Sequence, residues 1–142
     1  MIKEKDSELL ALLQQNARAS ISELARALNL SRSTVQSRIE RLEHIGVIKG
    51  YRVDYGEEYL QQLVSAHVSI KVKQKLTPKT TQALYKIDSV VALHAISGEY
   101  DLIAIVQAQN LERLNRLLDD IGGLEGVERT ASSVILETKF RR

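Results

Sequence analysis

Between Ser20 and Gly46, apolar residues recur twice at helical spacing. Ile21, Leu24, Ala25 and Leu28 form one stripe; Val35, Ile39, Leu42 and Ile45 form a second. Ser20 and Glu23 stand at the spacing of a capping box ahead of the first stripe. Asn29 suits the left-handed residue that ends a helix, Leu30 plugs the turn, Ser31 caps the second helix and Gly46 stops it. Upstream, Asp6 is placed to cap a helix carrying Leu9, Leu10, Leu12 and Leu13. Downstream, Val47-Ile48-Lys49-Gly50-Tyr51-Arg52-Val53 is β-prone and reads as a wing or trailing strand. The pattern predicts a three-helix head containing a tight helix-turn-helix.

The second half changes period. Val64 to Lys75 alternates, with Ala66, Val68, Ile70 and Val72 on one side, as in a half-buried strand. Thr77-Pro78 opens a helix whose Ala83, Leu84 and Ile87 face inward. Val90 to Ser97 and Asp101 to Gln109 read as antiparallel strands around the turn Gly98-Glu99-Tyr100. Asn110 caps a helix with Leu111, Leu114, Leu117, Leu118 and Ile121 on one stripe, and Gly122-Gly123 ends it. Val127 to Glu137 is the last strand. The order βαββαβ is a ferredoxin-like plait, with two helices on one face of a four-stranded antiparallel sheet. The strands are apolar on both faces, notably Leu102-Ile103-Ala104-Ile105-Val106, so the uncovered face is expected to pack on another subunit.

The second helix of the head carries the candidate chemistry. It turns Arg32, Ser33, Gln36, Ser37, Glu40 and Arg41 away from its seam. A helix that enters a DNA major groove offers its first residues to base edges. Here those are Arg32, Ser33, Thr34, Gln36 and Ser37, beginning at the cap Ser31, all hydrogen-bonding types suited to bases or phosphates. Arg38 and Arg41 lie further along and suit phosphates, as do Lys49 and Arg52 in the β-prone run. Two capped amphipathic helices also occur in many helical proteins, and charges on a strand are also simply solvated. Charge separates these readings weakly. Arg18 to Arg52 holds seven Arg/Lys against three acids, yet residues 1–60 hold nine of each sign and the whole chain carries +2.

Other classes recede. Without cysteine there is no disulfide framework and no thiolate zinc site. No apolar run approaches the roughly 20 residues of a membrane span, and the first residues have no apolar signal core, so a cytoplasmic protein is expected. His44, His67 and His94 fall in three different elements without metal-ligand spacing. Gly122-Gly123 lacks the following Lys-Ser/Thr of a phosphate loop, and Asp119-Asp120 are helix neighbours that do not face each other. The chain is expected to be no enzyme and to need no cofactor or metal.

Asp6…Leu9-Leu10, Asn16-Ala17-Arg18, Glu23-Leu24-Ala25, Leu30-Ser31, Arg38-Ile39, Arg41-Leu42-Glu43 and Gly46-Val47-Ile48-Lys49-Gly50-Tyr51 stand in order along the head. Together they resemble the leucine-responsive/asparagine-regulator (Lrp/AsnC, feast/famine) transcription factors, and the resemblance continues through the second half. It implies an α+β protein: a winged helix-turn-helix DNA-binding domain over residues 1–60 and a ferredoxin-like, RAM-type sensing and oligomerisation domain over residues 61–142. It implies homodimers through the sheets, often assembled into octamers, that bind double-stranded DNA at two-fold related half-sites. It also implies an amino-acid effector. Gly98-Glu99-Tyr100-Asp101 matches the family's Gly-x-Tyr/Phe-Asp turn. A free amino acid needs an anion for its ammonium, donors for its carboxylate and a side-chain pocket. Asp101 suits the ammonium, Gly98 lets turn amides approach a carboxylate, and Tyr100 suits a pocket wall. The family places part of the site on the last strand, here Thr130, Ser132, Ser133 and Val134. Read without the resemblance, Gly98 is a hairpin residue at positive φ and Asp101 a turn cap. The expected function is sequence-specific transcriptional regulation tuned by a small effector. The alternative is a ferredoxin-like small-molecule-binding or enzyme domain with a helical protein-interaction head.

Overall fold

A computed structural model describes residues 2–142. The chain divides into two compact units, one ending at Asp54 and the other beginning at Tyr55.

The first unit is a three-helix head: α1 (Glu4–Gln15), α2 (Ile21–Leu28) and α3 (Arg32–His44). Its core is Leu9, Leu13, Leu24, Ala25, Leu28, Val35 and Leu42. Both hydroxyl caps form, though no bond from the Ser20 amide to the Glu23 carboxylate completes the expected capping box among the described residues. Ser20 Oγ accepts from the Glu23 amide at 3.1 Å, and Ser31 Oγ accepts from the Thr34 amide at 3.2 Å. Asn29 ends α2 at φ 55°, the left-handed conformation that asparagine tolerates. Two short caps around one left-handed residue thus fix the turn between α2 and α3.

Four details of the head differ from expectation. Asp6 is not the cap residue of α1, but its side chain accepts from the Lys3 amide and so caps the helix from inside its first turn. The helix starts earlier, with Lys3 as its cap residue, and Asp6 sits within the first turn, 1 % exposed. Leu10 and Leu12 lie only half-buried at the edge of the core. Ile45 falls just beyond α3 and is 48 % exposed, so the α3 seam ends at Leu42. Val47 to Val53 forms no strand, so no β-ladder wing is present among the described residues. The physical reason is local: no partner strand lies in the head, and an unpaired strand cannot satisfy its backbone. The Ile48 amide instead donates to the Leu42 carbonyl at 3.0 Å, and Ile48 packs on the helical core.

The second unit begins with the short helix α4 (Glu57–Leu60). It continues as β1 (Val64–Val72), α5 (Thr77–Tyr85), β2 (Val90–Ala95), β3 (Leu102–Ala108), α6 (Leu111–Gly122) and β4 (Val127–Val134). The expected strand ends at Lys75, Ser97 and Glu137 are trimmed by two or three residues. The sheet has the order β2-β3-β1-β4 and its pairs are antiparallel. This is the βαββαβ plait the sequence pattern predicts. Ala66, Val68, Ile70 and Val72 of β1 meet Leu84 of α5 and Leu114, Leu117 and Ile121 of α6 in one core. Asn110 caps α6 by accepting from the Arg113 amide at 2.8 Å, and Leu111, expected on the inward stripe, is 55 % exposed at the helix start.

The register assigns the two faces. Val68 pairs with Ala104 and Ser132 on the helix-covered side. His67 pairs with Ile105 and Ser133, and His94 with Ile103, on the other side. Both histidines are exposed, whereas Ile103 and Ile105 are half-buried.

Two glycines make opposite demands. Gly126 has φ +93°, and a Cβ there would stand 2.3 Å from Thr80 Oγ1 and 3.0 Å from Leu76 Cβ. Thr80 itself is buried and donates to the Leu76 and Glu125 carbonyls, so it cannot yield cheaply. Gly98 has φ +115° with open space around it. Gly126→Ala is expected to cost about 3 kcal/mol, from strain plus overlap, whereas Gly98→Ala should cost about 1 kcal/mol, from strain alone. Urea unfolding of the two variants checks this; equal costs would contradict it.

Candidate nucleic-acid interface and effector site

The exposed face of α3 starts one residue after its cap. Arg32, Ser33, Gln36 and Ser37 are exposed, while Thr34, Arg38 and Arg41 are half-buried. Ser31 is committed locally: beyond its cap it meets Ser33 Oγ at 3.3 Å and Thr34 Oγ1 at 2.7 Å. Gln36 donates to Glu40 at 3.4 Å, a long contact between exposed side chains. Lys49 and Arg52 are exposed on the segment after α3. Tyr51 on the same segment is 50 % exposed, and its hydroxyl pKa is pushed up by partial burial, then by the nearby Glu43 carboxylate.

Arg38 and Arg41 are the surprise. Arg38 Nη1 lies 2.9 Å from Asp6 Oδ1, and Arg41 Nη2 lies 3.4 Å from Asp6 Oδ2. The Lys3 amide donates to the same Oδ2 at 3.1 Å. Burial works to raise the Asp6 carboxyl pKa. The Lys3 hydrogen bond, the Arg38 hydrogen bond and the two guanidinium charges outweigh it and leave the value below the ordinary 3.8. Sequence reading gave Asp6 a capping role alone and missed its two arginine partners. The signal was present: Asp6, Leu9, Leu10 and Leu13 share one helical stripe, and a carboxylate on a buried stripe needs a partner.

In the second unit, the candidate effector residues fall into separate groups. Gly98, Tyr100 and Asp101 sit in the β2–β3 hairpin. Asp101 Oδ2 accepts from the Val72 amide at 2.8 Å and lies 3.8 Å from Lys71 Nζ. The Asp101 amide donates to the Ile70 carbonyl at 3.0 Å. Asp101 therefore pins the hairpin to the end of β1. On β4, Thr130, Ser132 and Val134 pair with Ile70, Val68 and Ala66 on the helix-covered side, whereas Ser133 pairs with His67 on the opposite side. Side chains alternate along a strand, so these four do not share one surface of the monomer. Arg129 does join the groups. Its guanidinium lies 5.2 Å from the Tyr100 ring centroid and bonds Glu99. Arg129, Glu99 and Lys71 were not singled out in the sequence; only their position in the folded register reveals them. No group of three or more potential metal-binding side chains occurs among the described residues.

This geometry can be set beside known proteins. Residues 3–43 match the AsnC-type helix-turn-helix domain, and residues 65–142 match the Lrp/AsnC ligand binding domain. The chain belongs to the Lrp/AsnC family. It is 33 % identical over 140 residues to the HTH-type transcriptional regulator LysM of Sulfurisphaera tokodaii, covering 98 % of both chains. The structure of E. coli AsnC superposes with a TM-score of 0.90 at 26 % identity, covering 100 % of this chain and 97 % of that one. A transcriptional regulator of Neisseria meningitidis in complex with L-Met gives a TM-score of 0.88 at 23 % identity, covering 99 % and 94 %. Membership makes this Lrp/AsnC chain a helix-turn-helix transcriptional regulator with a ligand-binding domain, not an enzyme. Among its described residues, no helix is long and apolar enough to cross a membrane.

The Asp6 node has a pH signature. Its carboxyl pKa is lower folded than unfolded, so its contribution to stability is fully present above about pH 4 and fades as pH falls through the native value. The stability gap between wild type and Asp6→Asn should thus be constant near neutrality and shrink in acid. Urea titrations at stepped pH check this; a gap that widens in acid would contradict it.

Proposed function

We propose that this regulator reads duplex DNA with α3 and adjusts that reading to an amino acid bound by its second unit. The observation that carries the first half is the outer face of α3. Arg32, Ser33, Gln36 and Ser37 lie exposed, starting at the helix N-terminus. Arg32, Gln36 and Ser37 are assigned to base edges. Ser31, Ser33 and Thr34 approach the adjoining backbone; Arg38, Arg41, Lys49 and Arg52 meet phosphates. DNA binding is thus assigned to the first unit and sensing and assembly to the second, with the division at Asp54 and Tyr55 in place of the expected residues 60 and 61, and the regulator works in the cytoplasm.

Reading two-fold half-sites requires paired heads. We assign the pairing to the open sheet face around Ile103 and Ile105, with dimers joining into octamers. Exposed Tyr85, Leu136 and Phe140, at 87 %, 95 % and 76 %, support association, because a lone chain would leave them in water.

For the effector, the L-Met complex of the neisserial relative supports an amino acid. The hairpin residues Gly98, Tyr100 and Asp101 are assigned to it, with Thr130, Ser132, Ser133 and Val134. Because β4 splits these last four between two faces, a subunit interface is the natural place to gather them. Ligand there favours one assembly and so changes operator affinity.

Two outcomes follow. Arg32→Ala, Gln36→Ala and Ser37→Ala should each weaken operator binding by roughly 1–3 kcal/mol where a bidentate base contact is lost, without unfolding the head. Electrophoretic mobility shifts check this, and three variants binding like wild type would remove α3 as the reader. Asp101→Asn retains an acceptor for the Val72 amide but loses the charge for an ammonium. It should abolish the amino-acid response while leaving basal DNA binding. Calorimetry of wild type against the twenty amino acids sets the baseline: no dissociation constant below a few millimolar, about −4 kcal/mol, means no sensing at this site.

A further inference from the structure

Asp6 closes a capping box with the Lys3 amide, but that bond alone does not account for a carboxylate buried against two arginines. Its carboxylate is 1 % exposed and faces the two arginines on the α1-side flank of α3. Thr34, Arg38 and Arg41 recur on that flank at helical spacing. With Lys3, Ser33 and Ser37 they line one shallow groove. Its three cations, with the hydroxyls of Ser33 and Thr34, match the chemistry of a phosphodiester. Arg38 adds a second observation: its Nε is buried and makes no hydrogen bond. A buried donor without a partner is costly, so the Asp6 pair holds this guanidinium in place against that cost.

We propose that this groove seats one DNA-backbone phosphate and that Asp6 is its positioning residue, holding the Arg38 and Arg41 guanidinium groups in place before DNA arrives. The inference rests on the DNA-reading role of α3 given above and names one contact within it. A guanidinium is a planar fork, so fixing one of its nitrogens directs the rest. Holding it in advance lowers the side-chain entropy lost on binding. Asp6 also cancels part of the local positive charge. Its effect is therefore on register, which favours the matched site, and not on gross attraction to DNA.

The test uses the full chain, a duplex that wild type selects from a random pool, and a random duplex of equal length. In Asp6→Asn the selected-to-random affinity ratio should fall about tenfold, a usual coupling between neighbouring charged groups. Random binding should hold or strengthen. The drop should vanish in an Arg38→Gln/Arg41→Gln background. An unchanged ratio overturns the proposal, as does a drop that persists in that background. Should Asp6→Asn not fold, side-chain NMR of free wild type decides. The Arg38 Nε–H is expected to exchange slowly with water and that of exposed Arg32 quickly; equal rates mean the fork is not held, and the proposal falls. Wild type that binds no duplex ends the reading of α3 itself, whereas wild-type binding with an unchanged Asp6→Asn ratio ends the positioning role alone.

Discussion

The Asp6 carboxylate is charged, buried and bonded from two directions: by the Lys3 amide at the start of α1, and by Arg38 and Arg41 on α3. An ionised group inside a small helical head is costly unless its partners are fixed. That requirement couples the start of the first helix to the flank of the third. It determines which arginine donors are spent inward and which face outward. The apolar core of Leu9, Leu24, Leu28, Val35 and Leu42 brings the helices together, but apolar contact is non-directional. The buried seam of Val35 and Leu42 sets which side of α3 faces outward, and the ion pairs fix its flank against the start of α1. Lys5 Nζ adds a tie of the same kind, donating to the Leu28 carbonyl at the end of α2 at 3.2 Å.

The second unit follows a different constraint. Two helices can cover one face of a four-stranded sheet, and β1, at its interior, shows the result in its alternation of buried and exposed residues. The opposite face mixes Ile103 and Ile105 with His67, His94 and Ser133. Such a surface is too apolar to be purely solvated and too polar for a permanent core, which suits reversible assembly. The hairpin end of the sheet is tied at two points: Asp101 bonds the end of β1, and Arg129 of β4 lies over Tyr100.

The sequence revealed periodic features well. The stripes of α2, α3, α6 and β1, the Ser20, Ser31 and Asn110 caps and the left-handed Asn29 are local, and local chemistry is written in neighbouring residues. Contacts between distant residues were less legible. Asp6 looked like a cap alone because serine, threonine, asparagine and aspartate share that role, and its arginine partners lie 32 and 35 residues away. Val47 to Val53 looked like a strand because strand propensity does not supply a partner strand. Asp101 suited either an ammonium or a turn; its bond to Val72 depends on the sheet register. For the β4 residues, alternation alone could have separated Ser133 from Thr130, Ser132 and Val134.

The central claim is that the outer face of α3, flanked by the buried Asp6 pairs, is the surface that meets DNA. Backbone amide NMR during titration with duplex DNA tests it directly, because each residue of the head reports separately. The account predicts that the largest shifts cluster from Arg32 to Arg41 and at Lys3, and diminish as salt is raised. Shifts confined to the outer side of α2, or to residues after Asp54 with α3 unmoved, would contradict it.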